Sequence, residues 1–220
     1  KPKEIGSIRS ARSDFVPLAL GLNVIYAHFG GEHDVLEKLN AGVTDNIDGL
    51  LYDGKTYYRK KGIPRPHNAF TDLGLIAEKI KDLKYESTGK VSGYLHDSKY
   101  EKRGSVQPPA IYSGTFAVSW KYDSATNTYL RTRSGRAEID KNSNKQVAVA
   151  NMVVMETTWS PISLDYLRIK TVGNGKATIY KNGEAVVGTW EKKNDKDKLY
   201  FYDINHKEIK FTPGQIWVEI

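Results

Sequence analysis

The second half of the chain is a series of short strand-like segments separated by turn residues. Alternating β-branched and aromatic residues recur at short spacing between Tyr112 and Ile220, without helical periodicity. Asn174-Gly175 and Asn182-Gly183 offer the positive-φ positions that tight hairpins need, and Pro213-Gly214 precedes the last segment. This pattern predicts an antiparallel β-rich domain, built as a sandwich or a curled sheet.

The first half of the chain mixes helix and strand signals. Ser13 can cap a short helix that ends near Leu22, and a second helix is predicted over about residues 32–39. Thr71 can cap a longer helix whose apolar residues within 73–83 share one face. We expect that face to lie in the core.

Glycines end or separate the predicted strands of this first half. Residues 24–29 predict a strand that ends at Gly30-Gly31, where a backbone segment or a ligand can approach closely. Asp53-Gly54 separates two short apolar and aromatic runs, residues 50–52 and 56–58. This spacing predicts a β-hairpin there.

A long connection separates the two halves. Residues 87–109 are rich in serine, glycine, lysine and aspartate, and end in two prolines, which is typical of a boundary. We therefore predict an α+β protein. A mixed α/β N-terminal domain over residues 1–108 is followed by an antiparallel β-rich C-terminal domain over residues 109–220.

Composition excludes several classes of function. The 220 residues include no cysteine, which removes disulfides, thiolate nucleophiles and cysteine zinc sites. The charge of +7 is spread evenly, whereas nucleic-acid binding needs a one-sided basic patch, so we expect no nucleic-acid partner. Motifs for nucleotide hydrolysis, zinc proteolysis and α/β-hydrolase chemistry are absent, and we predict no cofactor and no metal.

Two arginines near the start of the chain are candidate ligand-binding residues. Arg9 and Arg12 lie beside serines just ahead of a helix start, an arrangement that suits a carboxylate or a phosphate. Arginine is also preferred in buried ion pairs. Pairing with internal carboxylates that brace the fold is therefore an equally favoured interpretation.

The histidines give weaker signals. His28 lies in a strand beside a glycine break, where a histidine is more often satisfied and half-buried than catalytic. His67 follows Arg65-Pro66 and Arg59, with Asp48 at an upstream turn. Such groups can bind sugars or anions, or can form a proline-fixed structural corner. We favour a solvated hairpin end over a phosphate site for the basic residues within 59–65.

Several strings in this sequence resemble the YerB-like lipoprotein family of Gram-positive bacteria. They occur in order along most of the chain, which makes the resemblance specific. The strings are IGSIRSAR (5–12), YAHFGG (26–31), IDG (47–49), YR (58–59), PHN (66–68), VVGTW (186–190) and PGQIW (213–217).

The resemblance implies more about location than about mechanism. The family is a two-part domain of unknown function, exported and anchored to the cell membrane by a lipid on an N-terminal cysteine. This chain starts at Lys1 with neither an initiator methionine nor a signal-peptide hydrophobic region, so we expect its lipid anchor to lie upstream. The resemblance also implies an upstream segment that supplies further strands to the first domain.

We hypothesise that the first domain forms a polar cleft that binds an anionic or carbohydrate component of the cell envelope. One alternative is an enzyme acting on a cell-wall polymer, with a histidine as general base. Another is an interaction protein whose β-rich C-terminal part docks an envelope protein, for which exposed aromatic residues clustered on one sheet face would be the distinguishing feature. The predicted cleft residues are Arg9, Arg12, His28, Asp48, Arg59 and His67.

Overall fold

The computed structural model describes residues 4–86, 93–97, 104–163 and 166–220. These residues form two compact units, each built from separate stretches of the chain. The first unit takes the described residues within 1–92, 159–172 and 193–198, and the second takes the rest. The predicted α+β class is confirmed: among the described residues, the α-helices lie within residues 4–86, and strands dominate the rest apart from one short 3-10 helix. A boundary between residues 108 and 109 stays a prediction.

The N-terminal stretch contains four helices and five short strands among its described residues. These elements are β1 (Glu4–Gly6), α1 (Phe15–Leu22), β2 (Tyr26–His28), α2 (His33–Asn40), β3 (Asn46–Asp48), α3 (Gly49–Tyr52), β4 (Tyr58–Arg59), β5 (Ala69–Asp72) and α4 (Leu73–Asp82).

Two small sheets organise this stretch. β5 lies between β1 and β4 in an antiparallel sheet, with Thr71 opposite Ile5. β2 and β3 pair in parallel, so that both strands end at the same edge, with His28 opposite Asp48. A parallel pair needs a crossover connection, which α2 supplies. α2 and α1 bury a small apolar cluster around Val16 and Val35.

The predicted hairpin at Asp53-Gly54 is wrong, because residues 50–52 belong to helix α3. Asp48 has an extended backbone, and its side chain accepts a hydrogen bond from the Leu50 amide at 2.9 Å. Asp48-Gly49 is therefore a helix start rather than a free turn. Gly54 is used to leave the helix, with a φ of 77°.

The helix caps lie one residue later than the sequence predicted. Asp14 precedes α1, and Asp72 caps α4 by accepting from the Leu75 amide at 2.9 Å. The predicted cap, Thr71, is buried and donates to the Thr56 carbonyl at 2.7 Å instead. The prediction that α4 turns a face to the core is also wrong, since its first residue, Leu73, is 64% exposed and none of its residues is buried.

The remaining described elements are strands and one short 3-10 helix at Gly114–Phe116. The strands are β6 (Val118–Asp123), β7 (Thr128–Arg133), β8 (Arg136–Ala137), β9 (Ile139–Asp140), β10 (Lys145–Gln146), β11 (Ala148–Val149), β12 (Asn151–Met155), β13 (Trp159–Ser163), β14 (Tyr166–Ile169), β15 (Gly173–Lys181), β16 (Glu184–Lys192), β17 (Tyr200–Asp203) and β18 (Ile216–Glu219).

The second unit has a core between two mainly antiparallel sheets. One sheet has the order β17-β16-β15-β12-β18, in which only the β12–β18 pair is parallel, and the other has β7 between β11 and β6. The core takes Trp120 and Tyr129 from the smaller sheet and Met152 and Tyr180 from the larger one. The predicted antiparallel β-rich part is thus confirmed.

The turn predictions in this unit have mixed outcomes. Asn182 and Gly183 have φ values of 53° and 74° and join β15 to β16, as predicted. Asn174-Gly175 instead lies inside β15. A Cβ at Gly175 would lie 2.5 Å from Nε1 of Trp190, which donates to the Glu156 carbonyl. This glycine makes room for an indole and does not make a turn.

Gly188 of β16 offers a direct test of the larger sheet. An added Cβ would lie 1.9 Å from the backbone carbonyl oxygen of Tyr202, so β17 would have to move. We expect Gly188→Ala to lower the free energy of unfolding by about 2 kcal/mol or more in urea titrations. Val187→Ala, at a neighbouring side chain that is 63% exposed, should cost less than about 1 kcal/mol. Equal losses in the two variants would contradict this packing.

Candidate functional site

The candidate site is built around residues 8–11, which follow β1 and run beside the ends of β2 and β5. The Ile8 amide donates to the Ala69 carbonyl at 2.8 Å, and the Phe29 amide donates to the Arg9 carbonyl at 2.9 Å. These bonds fix the backbone of this segment at two points. The side chains of residues 8–10 therefore project from a defined position.

The space beside Gly30 and Gly31, just after β2, is filled by the backbone of the chain itself. The Ala11 amide donates to the Gly30 carbonyl at 2.8 Å. A Cβ at Gly31 would lie 3.1 Å from the Ala11 carbonyl oxygen. The close approach that the glycines predicted is thus made by the chain's own residues 8–11.

His28 lies in the interior of the first unit with both ring nitrogens in contact with oxygen atoms. The residue is 1% exposed, its Nδ1 lies 2.9 Å from the Gly30 carbonyl oxygen, and its Nε2 lies 3.2 Å from Oδ1 of Asn46. The Asn46 amide nitrogen donates to the Leu39 carbonyl, which leaves Oδ1 to face the ring. This arrangement braces β2 against its neighbours and leaves no ring nitrogen open to a substrate.

The Asp48 carboxylate accepts hydrogen bonds from backbone amides. Its Oδ1 accepts from the Gly30 amide at 2.8 Å and from the Leu50 amide at 2.9 Å, and lies 3.8 Å from Nδ1 of His28. The residue is 7% exposed. One carboxylate oxygen thereby fixes both the turn after β2 and the start of α3.

Arg12 pairs internally. Its Nε lies 3.5 Å from Oε1 of Glu32, its Nη1 donates to the Ala11 carbonyl, and its guanidinium carbon lies 4.8 Å from the centre of the Tyr166 ring. These contacts match the bracing role that the sequence left open for one of the two arginines.

A hollow of about 170 Å³ lies beside residues 8–10 in the first unit. Three arginines and one serine form its polar part, and apolar side chains form the remainder. Its lining residues are Ile8, Arg9, Ser10, Phe29, Leu50, Arg59, Arg65 and Pro66.

Arg59 is locked in place at this hollow. Its guanidinium carbon lies 4.0 Å from the centre of the Phe29 ring, which is cation–π distance. Its Nε lies 3.1 Å from Oδ2 of Asp53, and its Nη1 donates to Oδ1 of Asn68 at 2.9 Å. The planar group is therefore held in one orientation, with its charge partly balanced.

Phe29 is itself positioned from two sides. Tyr57 packs edge-on against it, with ring centres 5.8 Å apart, and a Cβ at Gly49 would lie 2.2 Å from its Cδ2 atom. The Tyr57 hydroxyl donates to the Ile47 carbonyl at 2.7 Å. Burial raises the pKa of Tyr57, and the nearby charge of Asp48 raises it further, so the hydroxyl keeps the proton that it donates.

Arg9 contacts His67 at the rim of the hollow. Nη1 of Arg9 lies 3.0 Å from Nδ1 of His67, and the Ser7 hydroxyl donates to the His67 carbonyl. A guanidinium can only donate, so Nδ1 of His67 is the acceptor in this contact. Among the described residues, neither Arg9 nor Arg65 has a carboxylate partner.

The structure brings together part of the predicted cleft and separates the rest. Arg9 and Arg59 line the hollow and His67 contacts Arg9, whereas Arg12, His28 and Asp48 are not among its lining residues. The sequence reasoning did not place Arg65, Ser10, Phe29 or Leu50 in the site. The available signal is the basic cluster within residues 59–65, for which the sequence favours a solvated hairpin end.

The described part of the chain shows neither a metal-binding cluster nor a helix that could span a membrane. Within the described ranges, no group of three or more histidine, aspartate or glutamate side chains is arranged to hold a metal ion. In that part of the chain, no helix has the length and apolar character needed to cross a bilayer.

Fold and site together define a two-unit α+β protein with an arginine-lined hollow in its first unit. Family models match both parts of the sequence, the N-terminal domain of "Protein of unknown function (DUF3048)" over residues 1–86 and the C-terminal domain over residues 109–218. The chain belongs to this DUF3048 family.

The similar proteins agree with this assignment. The chain is 26% identical over 225 residues to "Putative lipoprotein YerB" of Bacillus subtilis (strain 168), a match that covers all of this chain and 67% of that protein. The crystal structure of YerB from Bacillus subtilis matches with a TM-score of 0.86 at 24% identity, over 99% of this chain and 74% of that one. The resemblance to YerB-like proteins is thus confirmed, and the structural match shows the shared fold.

The two histidines of the predicted cleft should differ in their effect on stability. His28→Ala removes the contacts of the ring with the Gly30 carbonyl oxygen and with Oδ1 of Asn46 and opens a cavity, so we expect the free energy of unfolding to fall by about 2–4 kcal/mol. His67→Ala, at an exposed position, should change it by less than about 0.5 kcal/mol. Urea titrations of both variants measure this difference. A His28→Ala protein as stable as wild type would refute the bracing role.

Proposed function

We propose that this protein is lipid-anchored outside the cytoplasm and that its arginine-lined hollow binds an anionic group of a cell-envelope component. One observation carries the binding proposal. Arg9 and Arg65 line a hollow in which neither has a carboxylate partner among the described residues. Unbalanced guanidinium groups around one cavity favour an anion, because the anion supplies the missing charge and the missing acceptors.

The composition of the hollow suits a carboxylate or a phosphate. Guanidinium groups present planar donor pairs that match the oxygens of both anions. Phe29 and Leu50 line the same cavity and exclude water from part of it, which strengthens each charged hydrogen bond. The Ser10 hydroxyl adds a neutral donor or acceptor.

The size of the hollow limits what enters it. A volume of about 170 Å³ corresponds to about five or six water molecules. A single phosphate or carboxylate with a few attached atoms fills this space. The ligand is then the charged end or side group of a larger molecule, whose remainder stays in solvent.

The proposed location rests on similarity. The name of the Bacillus subtilis relative, "Putative lipoprotein YerB", supports a lipid anchor, and the match covers the whole of this chain. A lipid anchor outside the cytoplasm would place the hollow next to the anionic polymers and lipids of the envelope.

The geometry favours binding over catalysis by the predicted histidine bases. Both nitrogens of His28 contact oxygen acceptors, so this ring is unsuited to accept a substrate proton. Nδ1 of His67 accepts from Arg9, which leaves only Nε2 for any other contact. These contacts position side chains and do not form a nucleophile-and-base pair.

Isothermal titration with inorganic phosphate, glycerol 1-phosphate and acetate tests the anion site. We expect Arg65→Ala and Arg9→Ala each to weaken binding of the preferred anion by about tenfold, because each removes charged hydrogen bonds. Arg136→Ala makes the same change of charge at an exposed position in the second unit and is the matched control.

The control separates a site from a general charge effect. Equal affinity in wild type, Arg65→Ala and Arg136→Ala would show that the hollow does not bind the anion. An equal loss in Arg65→Ala and Arg136→Ala would show that only net charge matters. Repeating the titration at higher salt also separates a specific site from a net-charge effect, since salt screens exposed charges more strongly than partly buried ones.

A further inference from the structure

The arginine-lined hollow carries two positive charges that the described residues do not balance. Arg59 is balanced by Asp53, since its Nε lies 3.1 Å from Oδ2 of that carboxylate. Arg9 and Arg65 have no carboxylate partner among the described residues, and none of the described residues that line the hollow is acidic. Two unbalanced charges attract a group with two negative charges more strongly than a group with one.

The same hollow offers more hydrogen-bond donors than a carboxylate can use. Among the described residues, Nη2 of Arg59 has no partner, Arg9 uses only Nη1, and Arg65 makes no hydrogen bond. These three guanidinium groups and the Ser10 hydroxyl line one volume of about 170 Å³. A carboxylate has two acceptor oxygens, whereas the free end of a phosphate monoester has three.

We propose that the group held in this hollow is the doubly charged end of a phosphate monoester. The proposal rests on the proposed function, because it names which anion the same hollow takes. A monoester carries a charge of about −1.5 to −2 at pH 7, since its second ionisation has a pKa of about 6. A phosphodiester carries a single charge, and its second substituent takes the place of one acceptor oxygen. Charge and oxygen count therefore both favour the monoester.

Isothermal titration with glycerol 1-phosphate, dimethyl phosphate and acetate tests this preference. We expect the monoester to bind about tenfold or more tightly than either singly charged anion, because it adds one charge and one acceptor. Binding of acetate or dimethyl phosphate that is as tight as that of glycerol 1-phosphate would overturn this proposal and leave the anion site of the proposed function in place. No binding of these anions or of inorganic phosphate would overturn both.

The ionisation of the ligand provides a second test. From about pH 8 to about pH 5, glycerol 1-phosphate loses most of its second charge, whereas sulfate keeps both of its charges. We expect the affinity for glycerol 1-phosphate, divided by the affinity for sulfate, to fall about tenfold over this range. Division by the sulfate affinity removes the effect of the titratable groups that contact the lining arginines, His67 at Arg9 and Asp53 at Arg59. A constant ratio would overturn the proposal, because the singly charged ester would then bind equally well.

Arg65→Ala tests the charge count from the side of the protein. It leaves one unbalanced charge at the hollow, so we expect the preference for glycerol 1-phosphate over acetate to shrink by about threefold or more. Arg136→Ala removes an exposed arginine of the second unit and should keep the wild-type preference. An unchanged preference in Arg65→Ala would contradict the assignment of the second charge to this arginine and overturn the proposal.

The monoester can belong to a soluble or polymer-linked molecule or to the headgroup of phosphatidic acid. Flotation with phosphatidylcholine vesicles, with and without phosphatidic acid, distinguishes these sources. Retention on the phosphatidic acid vesicles that glycerol 1-phosphate reverses would support a lipid headgroup as the monoester. Tight binding of glycerol 1-phosphate without retention on either kind of vesicle would support a soluble or polymer-linked monoester.

Discussion

The hydrogen bonds that Asp48 accepts from two backbone amides hold the walls of the hollow together. One oxygen of this buried carboxylate bonds the amides of Gly30 and Leu50. Phe29 directly precedes the first amide, and Leu50 carries the second, so two of the apolar lining residues depend on the same acceptor. Hydrogen bonds to an ionised group are stronger than neutral ones, which makes this carboxylate an effective brace. The backbone around the hollow is therefore held in place while its arginine side chains face solvent.

Local chemistry explains which parts of the fold the sequence predicted. The β-rich second half and the Asn182-Gly183 turn follow from residue type and backbone preference alone. Prediction from local residue type fails at Asp48-Gly49, because the same two residues suit a turn and a helix start. The choice depends on Phe29, which needs the space at Gly49 although it lies far away in sequence. Contacts of this kind have no local signature.

The same reasoning accounts for the partial prediction of the site. The structure brings Arg9, Arg59 and His67 together, since the segment after β1, the end of β4 and the loop before β5 meet at one end of this three-stranded sheet. His28 was included because a polar residue beside glycines has the same local pattern whether it contacts a ligand or a backbone carbonyl. The sequence does not single out Arg65, because a cluster of charges on a loop does not indicate which side chain faces a cavity.

The four arginines within residues 4–86 divide into two that pair with a carboxylate of the fold and two that have no carboxylate partner among the described residues. Arg12 pairs with Glu32, and Arg59 pairs with Asp53 while lying over Phe29. Arg9 and Arg65 line the same hollow without a carboxylate among the described residues, so their charges repel each other and that of Arg59. The anion proposed for this hollow would convert this repulsion into attraction, and it would favour the folded form, in which these arginines converge. Binding and folding would then be linked at this site, and the occupant would stabilise the first unit by a free energy that rises with the logarithm of its concentration relative to the dissociation constant.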